Sequence, residues 1–387
     1  MVNAVYDHII AMLVICVMFV GAVVVLPTLS AANIKAVDQQ QLRNIALNVF
    51  NTMLLDTGEP LNWGSIDPFD VSKIIRFGLA SARDSTLYVL DPNKVQRLVK
   101  GNPLGELPYP TVKELLGLQG YGFIFKITPP FNVTNLDGTK IDSAHPPIML
   151  IGSILRCAVK VSYLDGRPIP NALVEATVYY TTKDDFIIPP QSSNTTDSLG
   201  RCIQNMPLKD KSSDIRSLIV IFRVTVADVA TMVVTYTSNL VKIADINLVG
   251  DTIILTRTKD TPSDNVWIIN ATYVTGGGNL RYLFNASKKN DDQYQLNTGA
   301  KRMWNGTYAG LSYNNPVCFV LNFWAVDPNG KGRSEIVIAG PFQNTMGYAV
   351  FDYGGALLGY GSVRLQRSVI ISGMTYVAEL WFWKESP

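Results

Sequence analysis

Twenty-one consecutive residues, Ile9 to Leu29, carry no charge, and the hydropathy pattern changes character immediately after them. As a helix rising ~1.5 Å per residue, this run would span about 30 Å, the thickness of a bilayer's hydrocarbon core. It exceeds the ~7–15-residue apolar core of a cleaved secretory signal, and no basic residue precedes it, so a retained transmembrane helix is expected. Beyond Ser30, Ile34, Val37, Leu42, Ile45, Val49 and Met53 recur at helical steps, with Lys35, Asp38, Gln39, Gln40, Arg43 and Asn44 filling other positions. Asp56-Thr57-Gly58-Glu59-Pro60 closes the pattern: glycine suits a left-handed cap and proline bars continuation. The spacing predicts one N-terminal helix over residues 1–55, transmembrane and then amphipathic, bent by Pro27 near the membrane exit.

After the helix the period shortens. Residues 56–150 mix short helical signals (Asp70–Phe77, Pro92–Lys100, Thr111–Leu118) with a strand at Tyr121–Thr128 and a polar, turn-rich stretch from Asn132 to Pro147. Residues 151–247 alternate as a β-sandwich. Its predicted strands include Ile154–Tyr163, Ala172–Thr181, Leu218–Val226 and Val229–Tyr236, with turns at Leu164-Asp165-Gly166-Arg167-Pro168 and Thr196–Arg201. Residues 248–387 read as a further all-β domain. Gly276-Gly277-Gly278 and Asp327-Pro328-Asn329-Gly330 punctuate it, and Trp381 and Trp383 share one face of its last strand, where core packing is expected. The expected fold class is a long N-terminal α-helix followed by a small α/β region and two mainly-β sandwich-like domains.

Composition narrows the function classes. The net charge is +2, charged residues make up 17% of the chain, and no basic run of five or more occurs, so no nucleic-acid partner is expected. There are only two histidines, His8 and His145, which all but excludes histidine-dependent triads and zinc motifs. The glycine triplet lacks the Lys-Ser/Thr of a phosphate loop. The acidic pairs Asp184-Asp185 and Asp291-Asp292 lie in loops and read as solvated surface. No enzyme activity, cofactor or metal is expected. Of four cysteines, Cys16 falls in the apolar run, Cys318 in a core strand, and Cys157 and Cys202 form a candidate disulfide across the sandwich. Five Asn-x-Ser/Thr sequons, at Asn132, Asn194, Asn270, Asn285 and Asn305, are candidate glycosylation sites.

The layout resembles the archaeal type IV pilins and pseudopilins, in which an apolar half-helix runs into an amphipathic half carrying an extracytoplasmic β domain. The stretches that carry the resemblance are Thr57–Gly64, Phe77–Ala82 with Leu87–Val95, and Gly373–Trp383. It covers about the first 130 residues and the last twenty, and its motifs are moderately specific only as a set. The chain departs from the pattern in lacking Lys or Arg before the apolar core, where such prepilins are cut. By that resemblance Asp7 is implied to pair with a neighbouring subunit's amine, and Gly21 and Ala22 to permit close helix packing between like subunits; the alternative for Asp7 is a place in the headgroup region, where it needs no partner. Separately, Tyr163–Val174 and Thr196–Arg201 resemble the immunoglobulin-like modules of bacterial adhesins and of carboxypeptidase-regulatory-type domains, which act mostly as spacers.

Taken together, the residues and resemblances lead to a membrane-anchored extracytoplasmic structural protein. It would be a minor pilin-like or pseudopilin-like subunit, with like subunits or other pilin-like proteins and the membrane as partners. The alternative is a single-pass cell-surface adhesin or envelope protein binding a partner or glycan through its β domains. The bulk of the chain is expected outside. Lys35 and Arg43 follow the apolar run and would argue the reverse orientation, but large C-terminal domains translocate with little regard to charge.

Overall fold

The computed structural model describes residues 2–84, 86–102, 104–141, 145–237, 243–257, 265–286, 294–296, 303–314, 316–326, 329–340, 351–356 and 361–385. Within the N-terminal helix, side chains are described for residues 10–20 and 38–55. That helix, α1 (Val2–Leu55), is followed by β1 (Val89–Leu90), α2 (Pro92–Gln96), α3 (Tyr109–Leu115) and β2 (Tyr121–Thr128). A sandwich then comprises β3 (Asn132–Thr134), β4 (Ile148–Ile151), β5 (Ile154–Ser162), β6 (Leu173–Thr181), β7 (Phe186–Ile187), β8 (Ser192–Thr195), β9 (Arg201–Pro207), β10 (Ser217–Val226) and β11 (Val229–Tyr236). The next unit holds β12 (Ala244–Val249), β13 (Thr252–Arg257), β14 (Asn265–Thr275), β15 (Leu280–Asn285), β16 (Met303–Thr307), β17 (Pro316–Val326) and β18 (Gly332–Ala339). The chain ends with β19 (Phe351–Gly354), β20 (Val363–Ile371) and β21 (Met374–Lys384).

Those last strands return to the beginning. β21 lies between β20 and β2, antiparallel to both, in a five-stranded sheet of order β1-β20-β21-β2-β19. Alternation sorts its side chains. Phe123, Phe125 and Ile127 of β2, with Tyr376, Ala378, Leu380 and Phe382 of β21, are buried in one core with Ala46, Phe50, Met53 and Leu54 of α1. The ring of Phe50 meets Phe125 edge-on at 6.5 Å. This head domain is therefore built from both ends of the chain.

The sandwich has one sheet in which β5 pairs with β3, β4 and β9, and a second of order β11-β10-β6-β7, with β8 also on β6. Leu218, Val220, Phe222 and Val224 of β10 fill the sandwich core. The alternate residues Ile219 and Ile221 join the core of the head. The same doubling occurs in the third unit: Phe319, Leu321 and Phe323 of β17 face its own core, while Cys318 and Val320 face the shared one. Burial on both faces explains why β10 and β17 are continuous apolar runs rather than alternating ones.

The expectation of a helix, an α/β region and two sandwiches following one another is corrected. Among the described residues the fold is predominantly β, twenty-one strands against the long α1 and two short α-helices. Residues 56–150 supply only the short α2 and α3 as α-helices, and their strand β2 is completed by the chain's end. The helical signal at Asp70–Phe77 is a single 3-10 turn, Val71–Lys73. Among the described residues no helix is long and apolar enough to cross a membrane, so the transmembrane assignment does not stand as a structural finding.

Replacing Phe50 by alanine should cost about 3–5 kcal/mol, the usual range for emptying a fully packed aromatic site. Denaturant unfolding followed by the head's tryptophan signal checks this. A cost below ~1 kcal/mol would mean that α1 is not packed on this sheet.

Candidate functional site

The three stretches that carry the pilin-like resemblance meet at the end of α1. Asp91 caps α2 by accepting from the Asn93 amide at 2.9 Å, with Pro92 in the first turn. This aims two fully buried cations, Lys94 and Arg97, back at the loop that follows α1. Lys94 Nζ donates to the carbonyls of Thr57 (2.7 Å) and Ala80 (2.9 Å). Arg97 donates to Gly64 and Ile66, each at 2.9 Å, and to Leu104. Trp63 Nε1 donates to the Gly78 carbonyl at 3.0 Å. Burial lowers the pKa of Lys94, partly offset by Asp91 and Asp56. Burial likewise pushes that of Arg97 down to about 10, against Asp67. Both cations are committed to backbone carbonyls and sealed from solvent, so the arrangement fastens loops and offers no accessible nucleophile or base.

The outward face of the head sheet carries the other organised polar group. Glu379 accepts from Arg364 through two 2.8 Å bonds, from Gln366 at 2.8 Å, and from Trp381. Burial raises the pKa of this carboxyl, but those donors outweigh it and hold the carboxyl below its ordinary value of 4.5. Arg364 lies over the Trp381 ring at 5.2 Å. The expected core role of the two tryptophans therefore holds for Trp383, which is buried, and is corrected for Trp381. They share a face, but it is the one turned away from α1. Trp381 is half-exposed beneath Arg364, and Trp383 is buried over Gly122, where a Cβ would sit 2.5 Å from the indole.

The remaining sequence-selected residues do not converge on one place. Asp7, His8, Gly21, Ala22 and Pro27 have side chains outside the described residues, as do Asp291 and Asp292. Asp184 and Asp185 are exposed in the β6–β7 loop. Cys157 and Cys202 are free and buried. In the β5–β9 register Cys157 faces Gln204 and Cys202 faces Val159, so the thiols are diagonal neighbours. Such positions lie ~7–8 Å apart, at or beyond the usual Cα limit of about 7 Å for a disulfide. Burial pushes the Cys157 thiol up to about 12. Among the sequons, Asn194, Asn285 and Asn305 are exposed, whereas Asn132 and Asn270 are half-buried. Asn270 lies between β15 and β17, directly opposite Asn285. Among the described residues no group of three or more His, Cys, Asp or Glu is placed to hold a metal.

The junctions between units explain a motif whose role could not be read from the sequence. Gly276 is pressed against the Ser372–Gly373 turn, where a Cβ would lie 2.6 Å from the Ser372 carbonyl oxygen. Arg223 of β10 donates to the Gly276 carbonyl at 3.0 Å and pairs with Glu175 at 2.5 Å. The glycine triplet thus lets sandwich, third unit and head approach at one point. On the other side, Asn93 accepts from the Gly250 amide at 3.0 Å, and Gln96 donates to the Leu248 carbonyl at 3.0 Å.

No protein-family profile matches the chain, and no curated protein does. Among solved structures the likenesses are faint. Trypsin-activated alpha-2-macroglobulin from Escherichia coli is 9% identical over 56% of this chain and 17% of its own, with a TM-score of 0.22. The Ca2+-stabilized adhesin with which an Antarctic bacterium binds ice is 13% identical over 48% of this chain and 43% of its own, TM-score 0.16. Invasin, a bacterial integrin-binding protein, is 12% identical over 59% and 51%, TM-score 0.16. In each case the match spans less than two thirds of the other protein's length, and scores this low carry no argument about fold or function.

Glu379→Gln should lower stability at neutral pH by about 1–3 kcal/mol, the range for hydrogen bonds to a charged group, toward the lower end because Arg364 is half-exposed. With the folded pKa below 4.5, the unfolded chain takes up the proton first on acidification. The contribution is therefore complete above that value and is lost as pH falls through the folded pKa. Denaturation midpoints of both proteins against pH check this: the gap should close in acid, and a gap that widened there would contradict it.

Proposed function

We propose that this chain is a cell-surface structural protein of adhesin-like type, which presents fused β units from an apolar attachment at its N-terminus. The observation that carries this reading is the described segment Ile10–Val20 of α1. Its large apolar side chains are 49% (Val14) to 73% (Met12) exposed, whereas Ala46–Leu54 of the same helix contributes a buried face to the head. A bare apolar stretch of this kind is unfavourable in water and calls for a lipid or protein environment. The exposed sequons Asn194, Asn285 and Asn305 support placement in an outer envelope.

A second reading, a pilin-like subunit, draws on the same division of α1. A helix docked at one end and bare at the other suits packing against copies of itself as well as insertion in lipid.

Protease shaving of intact cells followed by peptide mass spectrometry tests the surface placement. Peptides from β5–β9 and β14–β17 should be released along with a known surface marker, and Asn194, Asn285 or Asn305 should be the sequons found modified. Full protection of these units while the marker is cut would overturn the reading. Recovery of the chain in sheared, sedimentable filaments would move it to the pilin-like alternative.

A further inference from the structure

The outward face of the β4–β5–β9 sheet brings exposed cations and exposed aliphatic side chains together. Direct pairing places Ile151 beside Ile154, Met149 beside Arg156, and Lys160 beside Arg201, so these six side chains share one face. Met149, Ile151 and Ile154 are 59%, 55% and 46% exposed, and Arg156 and Arg201 are exposed as well. No carboxylate occupies any position of that face on the three strands. Among the described residues no salt bridge ties up any of the three cations. The hairpin turn at Gly152-Ser153 is braced by amides from the segment carrying Lys209 and Lys211, through Leu208 to Ser153 (2.7 Å) and Ser212 to Gly152 (2.8 Å). Both of these lysines are exposed, but Asp210 and Asp214 of the same segment balance their charge, so the cationic character of the face rests on Arg156, Lys160 and Arg201. Arg156 and Lys160 lie along β5, with Arg201 beside Lys160. From Arg156 to Lys160 the cations cover about 14 Å at ~3.4 Å per residue.

We propose that this face binds a linear anionic polysaccharide, a uronate-type chain lying along β5. Unpaired cations on a flat, extended strip complement a polymer with a charge on each repeat. The aliphatic side chains between them offer an apolar bed to the C–H faces of sugar rings. No aromatic side chain lies on the face to stack a base, which disfavours a nucleic acid. The proposal rests on the surface reading above for the ligand's presence outside the cell. Its test is a binding measurement on purified protein, so the two can fail separately.

The full-length chain in non-ionic detergent would be titrated calorimetrically with polygalacturonate, dextran, polyglutamate and duplex DNA. Polygalacturonate should bind at about 50 mM salt and at least ~10-fold more weakly at about 300 mM, because exposed charges are screened. Dextran should not bind. Combined Arg156→Ser, Lys160→Ser and Arg201→Ser should weaken binding about 10-fold or more, while Arg156→Lys, Lys160→Arg and Arg201→Lys together retain it. Unchanged binding in the serine variant, no binding at low salt, or equal affinity for polyglutamate or DNA would each overturn the proposal.

Discussion

The structure depends on one shared apolar centre. Ile219 and Ile221 of the sandwich, Cys318 and Val320 of the third unit, and Tyr376, Ala378 and Leu380 of the last strand belong to the same buried cluster as Phe50 and Met53 of α1. Contact is direct: the Met232 and Cys318 sulfurs lie 3.9 Å apart across the sandwich and third unit. A strand buried on both faces has no solvated side, so β10 and β17 each hold two layers together. Removing either would expose apolar surface on two units at once. The polar junctions at Gly276, Arg223 and Asn93 then fix orientation around a centre that hydrophobic burial has already assembled.

This organisation limits what the N-terminal helix can do. Its buried stretch, Ala46–Leu54, is held by the sheet that the last strand completes, so the end of α1 is packed into the shared core. Lys94 and Arg97 reinforce the same point by tying the loop after α1 to α2. Buried cations satisfied by carbonyls are costly to break, because removing one leaves several acceptors unmade.

Part of this was legible in the residues. The apolar alternation located the sandwich and its turns, and Pro92 marked the first turn of α2. The polar side of the picture was less accessible. Glu379 and Trp381 read as members of a terminal strand, and nothing local indicated which face would turn toward α1. That depends on the register with β2, 250 residues away. The glycine triplet was legible as a turn, but its role required knowing that Ser372–Gly373 would be pressed against it. The serial arrangement failed for the same reason. Periodicity reports the element in which a residue sits and says nothing of the partner strand that a returning chain supplies. The cationic strip was hidden because Arg156, Lys160 and Arg201 are dispersed in sequence and gather only through strand pairing.

Amide hydrogen exchange on the intact chain, resolved by mass spectrometry, tests the shared centre most directly. Opening free energies for the central amides of β10, β17 and β21 and for Ala46–Leu54 of α1 should agree within about 1 kcal/mol, as members of one cooperative unit. Exchange of β10 through an opening several kcal/mol cheaper than that of β21, with α1 unaffected, would contradict the account. The sandwich would then be an independent module only resting on the head.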